Sequence, residues 1–314
     1  MNDYYITTMS TSTIYVGFDM GIRNLAYCVM EHTGDGDWNV KAWDNVDLLE
    51  DGKSAQDAKK CGACNAATKW QGEGIRWCNA CACGVRRKKT ASRIPTLPTL
   101  PSSASSLKGL RALAVEKCMP DAKKAKKELL LLWLGERYLM PWKPEKAGNV
   151  SLQVIVRKMD TWLDSMLLTL STASLIRLEN QPVMKGPTMK SVQIMLFTLL
   201  SHRLVRDYDW KGAIEFAHAG VKTRGAATAS AASAASAAST ASAASAASSE
   251  TPVNELTDGE AYRKRKQTAE SEVERLLTER GSSSTSGDKW LTFFKGRTKK
   301  SDLADAFLMA WRRA

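Results

Sequence analysis

Thr13-Ile14-Tyr15-Val16-Gly17-Phe18-Asp19-Met20-Gly21 is the stretch on which the fold turns. Its β-branched and aromatic residues, closed by a glycine, predict a buried strand that stops in a turn, with Asp19 at the strand's end. Working outward, Leu25-Ala26-Tyr27-Cys28-Val29-Met30 reads as a second strand and Val40 to Leu48 as a third. Much further along, Ser174-Leu175-Ile176-Arg177-Leu178-Glu179 repeats the theme of a short apolar strand ending on an acid. Helical spacing covers Val150 to Leu170, Ser191 to Val205, Asn254 to Arg280 and Lys300 to Trp311. Strands separated by helices of this kind predict an α/β chain.

The chain has 314 residues, enough for about two domains. With 44% hydrophobic residues it has the material for a core, which excludes wholesale disorder. No apolar run approaches the ~18 residues of a membrane span. The opening Met1-Asn2-Asp3-Tyr4-Tyr5 lacks the basic start and apolar stretch of a secretory signal, so an intracellular location is expected. Forty-five Lys and Arg against 33 Asp and Glu give a net charge of +12, which favours a polyanionic partner, nucleic acid before membrane. Twelve basic residues and three acids fall between Val85 and Glu128, so that stretch holds most of the excess.

Of seven cysteines, Cys28 and Cys118 stand alone, and five crowd into one segment. Cys61-Gly62-Ala63-Cys64 and Cys78-Asn79-Ala80-Cys81 are separated by thirteen residues. Two thiolate pairs at this spacing can close a tetrahedron around one Zn²⁺, and four thiolates leave no open position, so the metal is expected to be structural. Cys83 is a spare, or an alternative to Cys81.

Phosphodiester cleavage with metal needs several carboxylates at one point, where two Mg²⁺ ions activate water and stabilise the leaving oxygen. Asp19 and Glu179 end two strands, and Asp302 and Asp305 share one face of the last helix at i, i+3 spacing. Singly each has an ordinary reading: Asp19 as a turn residue, Asp302 as an acid satisfying free amides at a helix start. In this order they form three blocks. Val16-Gly17-Phe18-Asp19-Met20-Gly21-Ile22-Arg23-Asn24, Ile176-Arg177-Leu178-Glu179-Asn180-Gln181-Pro182 and Lys299-Lys300-Ser301-Asp302-Leu303-Ala304-Asp305-Ala306-Phe307 resemble the active-site blocks of RuvC-type Holliday-junction resolvases. The poxvirus and large-DNA-virus branch is nearest in flavour, with the fungal mitochondrial resolvases beside it.

The resemblance covers Thr13 to Leu48 and Val150 to Trp311, without the Ala/Ser stretch. It implies an RNase H-like fold, with a mixed sheet flanked by helices, Mg²⁺ dependence with two ions per site, a homodimer, and paired incision of branched DNA at four-way junctions. It makes Asp19, Glu179, Asp302 and Asp305 both the catalytic residues and the Mg²⁺ ligands, with Gln181 and Lys300 as supporting candidates. It also places the chain in the cytoplasm or nucleus of a host cell. A zinc ribbon occurs in RuvC-like nucleases of transposon origin too, between the middle Glu and the last Asp. Here the cysteines precede Glu179, which favours the viral type.

The expected organisation runs in seven parts: an RNase H-like core over 13–58, a zinc ribbon over 59–90, a Pro/Thr/Ser linker over 91–106, and a basic helical module over 107–140. The core resumes over 150–225, an Ala/Ser low-complexity linker fills 226–250, and helices of the core complete 251–314. The basic module, helix–loop–helix with Lys123, Lys124, Lys126 and Lys127, resembles a SAP-type DNA-binding module; it reads equally as a solvated charged face. Arg263-Lys264-Arg265-Lys266 has the same two readings. Two other functions compete: a non-catalytic zinc-ribbon DNA-binding protein, and an actin-like ATPase or sugar kinase whose phosphate loop also begins Asp-x-Gly. The latter needs a second Asp-x-Gly turn and a Gly-Gly adenosine loop, and neither is evident.

Overall fold

The computed structural model describes residues 12–33, 37–84, 95–181, 187–217, 258–281 and 285–312. The Ala/Ser tract at 226–249 and the basic residues Arg86, Arg87, Lys88, Lys89 and Arg93 lie outside them. In chain order the elements begin with β1 (Thr13–Asp19), β2 (Leu25–His32), β3 (Trp38–Asp47) and β4 (Lys53–Ser54). Next come β5 (Trp70–Gly72), β6 (Ile75–Trp77), α1 (Asn79–Ala82), α2 (Leu107–Glu116), α3 (Lys127–Gly135) and β7 (Met140–Pro141). The chain then forms α4 (Leu152–Asp164), α5 (Leu167–Leu170), β8 (Leu175–Glu179), α6 (Pro187–Tyr208), β9 (Ala213–Ala217), α7 (Asp258–Gly281), α8 (Thr285–Lys295) and α9 (Lys300–Trp311). They fall into two units, Met1–Ser54 with Val150–Ala314, and Ala55–Asn149.

The first unit is a six-stranded mixed sheet in the order β4-β3-β2-β1-β8-β9. β1 to β4 form an antiparallel meander, and β8 and β9 run parallel to β1. Parallel neighbours need crossovers, and α4–α5 and α6 supply them. Period two along β1 divides its side chains between two helical layers. Phe18 meets the Trp162 ring of α4 edge-on at 6.3 Å. Gly17 faces α9 so closely that a Cβ would lie 2.3 Å from the Ala306 carbonyl oxygen and 2.8 Å from the Met309 Cβ. On that face Cys28, Met30 and Trp43 pack with Val273 and Leu277 of α7, Phe294 of α8 and Leu303, Ala304 and Phe307 of α9.

Val150 to Leu170, one helix by its spacing, is two. The Ser165 hydroxyl donates to the Trp162 carbonyl at 2.7 Å, a local bond that competes with the backbone ladder where α4 ends. α8 and β9 have no counterpart in the sequence reading.

In the second unit β5 and β6 form a hairpin whose turn residues Glu73 and Gly74 both have positive φ, at 56° and 75°, as a two-residue hairpin turn requires. β7 pairs with the outer edge of β5. Leu100 and Ala104, from the stretch expected to be a linker, are buried with Leu110, Leu130 and Leu134 of α2 and α3. Leu100 between two prolines and Ala104 among the serines that follow are enough to fold that stretch onto the helices.

No helix among the described residues is long and apolar enough to cross a membrane. Gly17→Ala should cost about 1–3 kcal/mol, because the extra methyl must push α9 off β1. Chemical denaturation should show this loss, with Gly148→Ala, where a new Cβ meets nothing within 4 Å, within about 0.5 kcal/mol of wild type.

Candidate active site and metal centre

Registry brings the two strand-end acids together. β1 and β8 pair in parallel from Tyr15 with Leu175 to Phe18 with Leu178. One step further along the same ladder sets Asp19 beside Glu179, on strands about 4.8 Å apart. Gly17 and Arg177 are also partners, and Arg177 donates to the Met309 carbonyl of α9 at 3.0 Å. Two residues on, Asp19 and Glu179 therefore share the sheet face that α9 covers.

α9 runs against the direction of β1. Its Ala310 carbonyl lies 3.1 Å from Nε2 of His32, which pairs with Thr13 at the start of β1, whereas residues 306–310 lie over Gly17. From Gly17 to Asp19 the strand advances roughly 6.6 Å, and four helical residues rise about 6 Å. The first turns of α9, which hold Asp302 and Asp305, therefore lie toward the Asp19 end of β1. Asp302, Asp305, Ala306 and Met309 form an i, i+3, i+4, i+7 stripe, and its last two members are the residues that touch Gly17. Asp19 and Glu179 thus share one edge and one face of the sheet, and Asp302 and Asp305 lie on the helix that covers that face. They do not form a tight cluster: among the described residues the only group of potential ligands with all donor atoms within 4.8 Å of one another is the four cysteines. Asp19 is buried, and Glu179, Asp302 and Asp305 are half-buried.

Around these acids lie groups that the motif reading missed or left open. Gln181 donates from Nε2 to the Glu179 carboxylate at 2.6 Å, and its backbone amide donates to Oε1 of the fully buried Gln193 at 3.0 Å. Lys190 donates to the same Gln193 oxygen and to Oδ1 of Asn180. Lys266 on α7 reaches Asp302 at 3.4 Å and the Ser301 hydroxyl at 3.1 Å. Burial works against the Lys266 charge, and Tyr262 and Asp302 outweigh it, so its pKa lies above the ordinary lysine value. Lys300, expected to support the site, pairs with Glu274 at 3.5 Å. Lys266 belonged to a visible basic tract; Lys190 and Gln193 carried no signal, because helical spacing explains both. Asn45 completes the row that runs from Asp19 through Ala26, since directly opposed residues share a face. It is buried, and neither end of its amide has a hydrogen-bond partner.

Carboxylate oxygens are the donors that hard cations such as Mg²⁺ prefer, and an orphaned buried amide in the same row suits a polar guest. Asp19, Glu179, Asp302 and Asp305 could hold such an ion.

The second centre is better defined. Sγ atoms of Cys61, Cys64, Cys78 and Cys81 lie mutually within 4.8 Å and could hold a metal such as zinc. Cys61 and Cys64 flank a turn closed by the Asn65 amide on the Cys61 carbonyl and the Cys61 amide on the Ala66 carbonyl. Cys78 caps α1, its Sγ accepting from the Cys81 amide at 3.3 Å. The Ala66 backbone draws the Cys64 thiol down to about 7, and burial pushes that of Cys81 up. Cys83 is exposed and outside the group.

No protein-family model matches this chain, and no curated protein does. Among solved structures, the crystal structure of the yeast mitochondrial Holliday junction resolvase Ydc2 is similar at a TM-score of 0.37 and 10% sequence identity, over 97% of this chain and 80% of that one.

Elemental analysis of purified protein should find about one zinc per chain, as four thiolates require. Cys78→Ser should lower that stoichiometry, and Cys83→Ser should leave it unchanged.

Proposed function

We propose that the chain is a metal-dependent, structure-selective endonuclease that resolves four-way DNA junctions by paired incision, acting as a homodimer. What supports this reading is that two strand-end acids are neighbours by register on the face that α9 covers, and that α9 carries two more acids on one stripe. The strand order β4-β3-β2-β1-β8-β9, a meander continued by parallel strands, supports an RNase H-like core.

On this reading Asp19, Glu179, Asp302 and Asp305 hold two Mg²⁺ ions. Bound Mg²⁺ would supply Lewis acidity toward the scissile phosphate and a more acidic water. The protein's part is positional. Asp19 and Glu179 are fixed by the β1–β8 ladder, and Asp302 and Asp305 by the seating of α9 on Gly17. Gln181, hydrogen-bonded to Glu179 and anchored on Gln193, orients that carboxylate. Lys190 and Lys266 offset the negative charge that acids and phosphates bring to the same edge. The four cysteines hold a structural Zn²⁺. Lys123, Lys124, Lys126 and Lys127, all exposed, contact DNA phosphates through the Ala55–Asn149 unit.

Cutting and holding should then fail separately. Asp302→Asn should abolish nicking of a synthetic four-way junction in Mg²⁺ while gel shift shows binding intact. Neutralising Lys123, Lys124, Lys126 and Lys127 together should weaken binding and flatten its salt dependence by up to ~0.9 logarithmic units per lost phosphate contact, with incision surviving at saturating protein. Wild-type protein that binds the junction without cutting it would instead mark a non-catalytic zinc-ribbon binder, and ATP turnover a kinase-like protein.

A further inference from the structure

The mutual arrangement of α7 and α9 carries more than packing. Tyr262, Lys266, Glu270 and Glu274 recur at i, i+4, i+8 and i+12 on α7 and form one stripe. Two of them meet charged residues on α9: Lys266 pairs with Asp302, and Glu274 with Lys300. The stripe thus sets an ammonium group against an acid of the candidate site. Lys266 is held there from three sides, by the Asp302 carboxylate at 3.4 Å, the Ser301 hydroxyl at 3.1 Å and the Tyr262 ring at 5.1 Å. Its side chain is 33% exposed and that of Asp302 is 16% exposed, so the pair is only partly screened by solvent. The neighbouring Arg263, Lys264 and Arg265 are exposed, and no such contact to an acid of the site is seen for them.

We propose that Lys266 is a tethered counter-cation that occupies the Asp302 carboxylate and competes with the divalent ion for it, so that metal loading requires Lys266 to withdraw. The inference rests on the metal-dependent reading above. Its physical basis is simple. One carboxylate oxygen cannot give its full charge to an ammonium and to a divalent cation, and the two cations repel at that distance. Withdrawal frees an ammonium on a four-carbon stem at the cleavage edge, where a substrate phosphate is the complementary charge. Lys266 would thereby tie the metal requirement of the enzyme to the presence of its anionic substrate.

Metal binding can be read without turnover, by titrating the full-length, zinc-loaded chain with Mn²⁺ and following free Mn²⁺ by electron paramagnetic resonance. Lys266→Met should bind Mn²⁺ about fivefold more tightly than wild type, the size expected when a partly exposed ion pair no longer has to be broken. Lys266→Gln, which keeps a donor for Ser301, should do the same, and Lys266→Arg should stay near wild type. Lys264→Met should change nothing. Lys300→Met removes an equal charge that is paired elsewhere and should tighten binding less. Unchanged or weaker Mn²⁺ affinity in both Lys266→Met and Lys266→Gln, or equal tightening in Lys300→Met, overturns the competition while leaving the metal site standing. A wild-type chain that binds no Mn²⁺, or binds it equally well as Asp302→Asn, overturns the metal reading and this inference with it.

Discussion

Everything at the candidate site depends on how closely α9 approaches β1. At Gly17 there is no room for even a methyl group, and the helix answers with Ala304, Ala306 and Ala310, all buried. Close approach alone would let the helix slide. Three side chains from three different strands prevent that by binding its carbonyl groups: Trp43 donates to Leu303, Arg177 to Met309, and His32 meets Ala310. The last two carbonyls belong to the final turn, where the helix itself supplies no donors. One end of α9 is thus held by the sheet, and its rotation and rise then determine where Asp302 and Asp305 fall.

The turn after Asp19 is held by a separate device. Arg23 pairs with the buried Asp47 at 2.7 Å, and the Leu48 amide donates to the Ile22 carbonyl at 3.0 Å. Burial raises the Asp47 pKa even though Arg23 and the Leu49 amide oppose the shift. A pair in this position is weak evidence for stability, since desolvation offsets much of the Coulomb gain. Its consequence is geometric: Asp19 sits between a strand ladder on one side and a turn tied to the end of β3 on the other. Glu179 is treated similarly, through Gln181 and the buried Gln193. Each strand-end acid is thus flanked by a network of its own in addition to the ladder that the two strands share.

How much of this could be read from the sequence follows from the range of the interactions. The strands β1, β2, β3 and β8 were legible because apolar runs ended by an acid or a glycine leave a local signature. The pairing of Cys61 and Cys64 with Cys78 and Cys81 was legible because knuckle spacing is itself local. The acids were legible only as a pattern of three blocks; composition gives no reason for Asp19 and Glu179 to be neighbours, and the parallel register that makes them so is a tertiary fact. β9 and α8 are not legible because Ala213–Ala217 and Thr285–Lys295 are short and mixed in polarity; ladder pairing with β8 defines the first, and ring contacts of Phe293 and Phe294 with Trp43 the second. Lys266 was legible as charge and illegible as a partner, since its meaning depends on α7 crossing α9.

The two metal-ligand sets also differ in what they ask of the protein around them. In the ribbon the buried cluster consists of Cys61, Cys78 and Cys81 with Ala63, Trp77 and Leu139, so half of its members are the thiols themselves. Apolar burial there is too small to hold three short strands together, which is the usual condition under which a small module relies on metal to fold. The helical half of the same unit does not share that need, because Leu100, Leu110, Leu130, Leu134 and Tyr138 give it an apolar core of its own. At the acidic edge the position is reversed. The sheet and α9 share an apolar core of their own, and that packing sets the position of the helix carrying Asp302 and Asp305. A metal at the cysteines would therefore be part of the fold, whereas a metal at the acids would be a guest of a fold already made, which is the condition for an ion that must come and go with substrate.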